Sequence, residues 1–300
     1  MRLSFWPGPA QSFQDVLALA KHVEQTGWDG LWYADHFMAN GADTSGPHNE
    51  AWTTLSAIGA LVPRIRIGTL VSGNTYRHPA VLAKMASTLD QISEGRVVLG
   101  LGAAWQENEH SAYGIPFYTL GERLQRLDEA CQVIRGLFEN EKTTFQGKFY
   151  QLQDAPLAPK PVQSPLPLFI GGGGEKVTLR ITAKWADEWN VWGDVATLKH
   201  KMSVLDKHCA EVGRDPSAIQ RSAAAMLFLI DDAATAEKLR GSRGASTMVI
   251  GNVEEVRETL RGYADAGVDE LIVPDFNLGA MEAKIATLDR FIQEVAPVVR

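Results

Sequence analysis

Cysteine is scarce in this chain, with two in 300 residues, Cys131 and Cys209. No CxxC or metal-type spacing joins them, so a disulfide framework is excluded and buried thiols in a reducing compartment are expected. Basic charge is also in short supply: 29 Lys and Arg face 36 Asp and Glu, for a net charge of -7. Nucleic acid is therefore not an expected partner, and an anionic ligand would need local groups rather than a global field. Long hydrophobic runs are missing too. The longest strongly apolar stretch, "AAAMLFLI" (Ala223 to Ile230), is far too short to span a bilayer. The opening "MRLSFWPGPA" has neither the apolar core nor the cleavage site of a secretory signal, so a cytoplasmic protein without a membrane partner is expected. The seven histidines show no HExxH or close His/Cys spacing, and no GxSxG elbow is present. A metallohydrolase and a serine hydrolase are both poorly supported, and no metal is expected.

What the chain does have is rhythm. Apolar runs at 2–6, 30–34, 65–71, 96–102, 167–171, 187–192, 222–230 and 269–275 read as strands. Helical segments fit 11–26, 50–62, 79–92 and 120–139, with further helices between and after the later strands. In the 120–139 segment, Leu124, Leu127, Cys131, Ile134 and Phe138 recur at three- and four-residue spacing. The alternation breaks at 141–166, where Gly147 separates two short alternating runs and four prolines follow, which predicts a hairpin insertion. "TGWDGLWYAD" (26–35) and "AGVDELIVPD" (266–275) repeat one αβ corner, and "WADEWNVWGD" (185–194) echoes it. Eight such units predict an α/β fold. A doubly wound sheet would alternate as well, but count and repeat favour a (βα)8 TIM barrel. The chain reads as a single domain over 1–300, with the insertion after the fourth βα unit.

In a barrel of this kind the chemistry sits in the loops after the strands. "YADHF" follows the second strand and sets Asp35 beside His36. Successive side chains face opposite ways, so one of the pair faces a ligand while the other orients its surroundings. Histidine suits proton exchange with a substrate oxygen; the bland alternative is a strand-end residue capping loop carbonyls. "LFIGGGGEKVTLR" places Gly172, Gly173 and Gly174 between a strand and a helix, where bare backbone N–H groups can meet a phosphate. No Lys-Ser/Thr follows, so this is not a Walker loop, and a flexible turn is the alternative. In "GTLVSGNTYRHPAVLAKMASTLD" (68–90), Gly73 and its small polar neighbours would let a flat ring lie against backbone. Gly100 and Gly102 in "GLGAAWQENEH" remove side chains at a strand end, and Trp105 would wall a pocket or simply pack.

These segments, with "EAWTTLSAIGAL" and "GRVVLGLGAAWQENEHSAYGIPF", resemble the luciferase-like monooxygenase superfamily, and within it the F420-dependent oxidoreductases. The resemblance runs along nearly the whole chain. It implies a flavin-like cofactor at the strand C-termini, coenzyme F420 first and FMN as the alternative. His36 matches the histidine near the reactive carbon of the deazaflavin, and Asp35 the neighbouring acid. A non-prolyl cis peptide is implied at Leu70–Val71, next to Ser72, backing the ring. Asn108 matches a cofactor-contacting asparagine, Gly102 lies against the same site, and Gly172 to Gly174 match the phosphate loop.

The sugar-phosphate dehydrogenases of this branch carry a catalytic Glu where this chain has Trp105. Lys201 matches one of their phosphate-binding residues, and the others lack a counterpart. The expected substrate is therefore a small, less charged alcohol, ketone or activated alkene, in a pocket walled by Trp6, Trp52 and Trp105. Hydride would pass to or from F420 while His36 exchanges the proton. An FMN-dependent monooxygenase, fed by a partner flavin reductase and using dioxygen, is the alternative. A non-catalytic cofactor-binding protein is a further one. Relatives often pair through barrel helices, so a homodimer is expected.

Overall fold

The computed structural model describes residues 1–300. In chain order the strands are β1 (Arg2–Trp6), β2 (Gly30–Asp35), β3 (Arg66–Gly73), β4 (Val97–Gly102), β5 (Lys142–Gln146), β6 (Gln151–Pro156), β7 (Leu168–Gly171), β8 (Glu188–Trp192), β9 (Gln220–Ala224), β10 (Met226–Leu229), β11 (Met248–Gly251) and β12 (Glu270–Pro274). Eight of them close into a barrel in the order β1-β2-β3-β4-β7-β8-β9-β12, and each neighbouring pair is parallel. The α-helices are α1 (Phe13–Thr26), α2 (Ala51–Leu61), α3 (Pro79–Ile92), α4 (Glu107–Tyr113), α5 (Leu120–Glu139), α6 (Thr178–Trp185), α7 (Val195–Val212), α8 (Ala233–Arg240), α9 (Val253–Asp265) and α10 (Met281–Arg290). This is a TIM barrel, as the alternation predicts. No helix is long and apolar enough to cross a membrane.

Local chemistry sets the element ends. The Ser12 side chain accepts from the Asp15 N–H at the start of α1, and Gly27 closes that helix at φ 94°, where a Cβ would be strained. Asn252 and Glu255 form a reciprocal capping box on α9. Leu19, Leu55, Leu89 and Ile134 on the helices pack with Leu3, Leu31, Leu99 and Leu168 on the strands in one shell core. The barrel interior holds a smaller cluster around Trp6, Trp32, Leu70, Phe169 and Ile272. Its floor is ionic: buried Glu270 accepts from Trp32 Nε1 at 2.8 Å and pairs with Arg2 at 3.2 Å and Arg66 at 3.5 Å. Glu188 joins the same pair of arginines, and its burial pushes its carboxyl up despite them.

The hairpin is formed by β5 and β6, after the fourth barrel strand. Glu129 of α5 holds its turn, accepting from the N–H groups of Lys148, Phe149 and Tyr150 at 2.8, 2.9 and 3.2 Å. One expectation fails. The run 222–230 is not a single strand but breaks at Ala225, whose N–H donates to Ile272 O at 3.2 Å. Beyond it β10 leaves the barrel and pairs in parallel with β11. An unbroken apolar run conceals this because Ala225 carries no turn signal, and β11 and α4 are too short for a clear period.

Candidate active site

The C-terminal ends of the barrel strands surround a cavity of about 760 Å³. One wall is made by a bulge. Register shifts in β2 between Tyr33 and Asp35, and in β3 between Gly68 and Ser72, push Val71 toward the mouth. The Leu70–Val71 peptide there is cis, where the resemblance puts it. Val71 stands between two glycines. A Cβ on Gly102 would lie 2.7 Å from one Val71 methyl, and one on Gly171 would lie 2.8 Å from the other. The bare wall exists because neither position carries a side chain.

His36 lines the cavity and has a partner the sequence did not reveal. Its Nδ1 lies 2.8 Å from Oε1 of Glu109, a fully buried residue of α4. A carboxylate only accepts, so Nδ1 donates and Nε2 is left for a ligand. Glu109 Oε2 accepts from the Phe37 N–H at 2.7 Å, and the Tyr76 hydroxyl donates to Oε1. Burial alone would push Glu109 up, but the hydrogen bonds from His36, Phe37 and Tyr76 outweigh it and hold the carboxyl below its usual range. Burial and Glu109 together push the Tyr76 phenol up, so it stays protonated and donating. Trp105 stands edge-on to His36, with ring centroids 5.4 Å apart, and is 61% exposed at the rim.

Asp35 faces away from this pair. It is fully buried and receives a fork from Arg77 at 2.6 and 3.1 Å. Arg77 also reaches Glu50 at 2.5 Å, and Glu50 in turn caps α2 by accepting from the Trp52 and Thr53 N–H groups. Burial alone would lower the Arg77 guanidinium, but Asp35 and Glu50 more than reverse this. Asp35 therefore anchors the β2 and β3 loops to α2, and Glu109 takes the role of orienting His36.

The other candidates divide. Trp6, Leu70, Gly102, Gly172 and Gly173 line the cavity with His36, Val71 and Trp105, whereas Ser72, Asn108 and Gly174 do not. Trp52 is not in the lining either: it is 3% exposed, packs in the shell core and donates from Nε1 to Ser72 Oγ at 3.0 Å. Its ring sits behind the β3 wall, because α2 turns its first residues onto the strand rather than over the mouth. Asn108 stitches α4 to the β2 loop, donating to Ala39 O at 3.0 Å and accepting from the Glu109 N–H at 2.9 Å. At the glycine loop, Lys201 Nζ donates to Gly173 O at 3.0 Å and to Glu175 at 2.6 Å. No side chain caps the start of α6; the Leu179 N–H there donates to Gly174 O at 3.0 Å.

Asn190 and Trp192 line the cavity from "KWADEWNVW", whose strand-period alternation reads as core and pocket wall, and Tyr76, Phe276 and His48, the last from the loop before α2, were not singled out in the sequence. The loops that carry Tyr76, Phe276 and His48 give no periodic signal. Across the whole lining there is no Asp, Glu, Lys or Arg. No group of His, Cys, Asp and Glu is arranged to hold a metal. A flat ring with a phosphate tail fits these residues: a bare wall at Gly102 and Gly171, an unpartnered Trp6 Nε1, and backbone N–H groups with Lys201 at the tail end.

Residues 1–243 match the family model for luciferase-like monooxygenases. An F420-dependent glucose-6-phosphate dehydrogenase of Kineococcus radiotolerans is 36% identical over 176 residues, 58% of this chain and 49% of the relative. The chain thus spans about half the length of the first curated relatives it matches. An F420-dependent hydroxymycolic acid dehydrogenase of Mycobacterium tuberculosis is 29% identical over 222 residues, 74% of this chain and 61% of that one. Among solved structures, an F420-dependent secondary alcohol dehydrogenase in complex with an F420-acetone adduct is similar at a TM-score of 0.86 and 22% identity, covering 100% of this chain and 99% of that one. That last likeness bears on the fold. With four-fifths of the chain under the family model and the barrel, bulge and glycine loop in place, this chain belongs to the luciferase-like monooxygenase family.

Proposed function

We propose that this chain is an oxidoreductase that transfers hydride between coenzyme F420 and a small uncharged organic substrate, an alcohol, a ketone or an activated alkene. One observation carries the reading: a histidine braced by a buried carboxylate opens onto a cavity whose walls hold no charged side chain. The F420-dependent activities named for the relatives support the choice of cofactor.

When bound, F420 supplies the carbon that gives or takes hydride. Val71, flanked by Gly102 and Gly171, would back the ring, with Leu70 beside it in the lining and Ser72 behind. Gly172, Gly173 and Gly174, with Lys201, hold the phosphate. Asn108 and Glu109 fix the α4 end of the site. His36 takes a proton at Nε2 from the substrate hydroxyl in oxidation, or gives it to the carbonyl oxygen in reduction. Glu109 holds the Nδ1 proton and the plane of the ring throughout. Trp6 and Trp105 cover the reacting carbon and keep water off it. A phosphorylated substrate is disfavoured, since its charge would be buried among apolar walls without a cation. On this reading residues 1–300 work as one barrel domain, in the cytoplasm and as a homodimer.

F420 and FMN titrated separately into the purified protein, followed by tryptophan fluorescence, test the cofactor. Quenching by F420 at micromolar or lower concentration, with none by FMN, is expected. The reverse preference would replace hydride transfer with oxygen chemistry and a partner reductase. His36→Ala is expected to keep F420 affinity and lower turnover about 10²-fold or more. Unchanged turnover would remove His36 from the chemistry.

A further inference from the structure

A second histidine lines the cavity. His36 is braced by Glu109, but His48 is not braced by anything. Both ring nitrogens of His48 are shut off from solvent and have no hydrogen-bond partner, although the residue lines the cavity. Among lining residues, Trp6 Nε1 is the other buried polar atom left in this state. An unpartnered buried N–H or lone pair is destabilising, and beside a cavity its natural partner is a ligand.

The backbone next to His48 is held independently of its ring. Asn49 donates from its backbone N–H to Pro9 O at 3.3 Å and from its side chain to Gln11 O at 2.7 Å. The ring's place beside the cavity is thus set by its neighbours rather than by its own bonds. Burial pushes His48 below the usual histidine range, and the nearby His36 pushes the same way against a weaker pull from Glu109. It is therefore a neutral imidazole, with one N–H and one lone pair to offer. Three other polar side chains of the lining are committed: Tyr76 to Glu109, Gln106 to Met38 O at 2.9 Å, and Asn190 to Ser222 at 2.9 Å.

We propose that His48 is a second substrate-contacting residue, donating a hydrogen bond from its otherwise unpartnered ring to the same substrate oxygen that exchanges a proton with His36. This role rests on the oxidoreductase reading above. The bond between that oxygen and its proton forms or breaks at His36 Nε2, and His48 keeps its own proton throughout. A fixed donor of this kind helps most when the oxygen carries most negative charge, which is during the reaction rather than before it. In a lining without Arg or Lys, no cation supplies that help.

His48→Phe keeps a ring and removes both nitrogens, while His48→Gln keeps an N–H donor. In F420-loaded protein, His48→Phe is expected to lower kcat about 10²-fold, and His48→Gln to restore most of the loss. A readout apart from turnover uses a small aliphatic amide as an uncharged mimic of the substrate carbonyl. Its titration into wild-type protein labelled with ¹⁵N-histidine, cofactor-free and F420-loaded, is expected to move the His48 ring signals. Its affinity is expected to fall about tenfold in His48→Phe. An unmoved His48 signal with equal amide affinity in the two proteins would overturn the proposal. So would loss of F420 binding in His48→Phe with amide binding intact, since His48 would then serve the cofactor. If wild-type protein bound FMN instead of F420, the hydride-transfer reading would fall, yet the cofactor-free amide titration would still decide the His48 contact.

Discussion

Glu109 connects three parts of the site through one buried carboxylate: the His36 ring, the Phe37 backbone and the Tyr76 hydroxyl. Those bonds hold it below its ordinary value of 4.5, so in acid the unfolded chain binds the extra proton more readily than the folded one. Its contribution to stability is complete above that ordinary value and is lost as pH falls through the lower folded value. Glu109→Gln is expected to cost about 3 kcal/mol near pH 7, by breaking a buried charged network. The gap between variant and wild type should narrow below about pH 4.5, which urea unfolding at a series of pH values will show. A constant gap across that range would mean that the carboxylate is not ionised in the fold. His36 could be read in the sequence because a polar residue ending an apolar strand stands out locally. Glu109 could not, because it lies 73 residues away and only the barrel's curvature brings it to Nδ1.

At the scale of elements, β3 makes the site by being irregular. Its bulge turns Val71 onto the space that Gly102 and Gly171 leave open. Gly102→Ala would place a methyl group 2.7 Å from Val71. Such overpacking is expected to cost about 1–3 kcal/mol and to weaken F420 binding, as Val71 moves into the ring's place. Gly121→Ala in α5 meets nothing within 4 Å and serves as the control, with F420 affinity unchanged. Equal effects of the two changes in the fluorescence titration would show that the wall is not a binding surface. The glycines and strand ends were legible as composition. The direction in which Trp52 points was not, since α2 carries apolar residues on most of its faces and its period does not single out one side.

The whole molecule separates its two ends. The floor joins Arg2, Arg66, Glu188 and Glu270 around Trp32, and the cavity opens at the other ends of the same strands. Glu270→Gln is expected to lower stability by about 3 kcal/mol, because it leaves two arginines to share the single carboxylate of Glu188, while F420 affinity stays as in wild type. Thermal unfolding alongside the F420 titration checks both halves, and a loss of affinity at an unchanged Tm would contradict this division. The barrel was legible in the sequence because eight alternating β and α units, three of them sharing one corner, impose one repeating geometry. The β10–β11 excursion was not, because it reuses an apolar run that looks like more of the same strand.

A mouth without formal charge also governs how molecules arrive. Its walls focus no field along the barrel axis, so the approach of a neutral substrate is set by diffusion and by the opening between the loops, at any ionic strength. An anion meets a different landscape, a chain of net charge -7 whose Lys201 beside the glycine loop is already paired with Glu175. Its encounter rate is the one that salt will change.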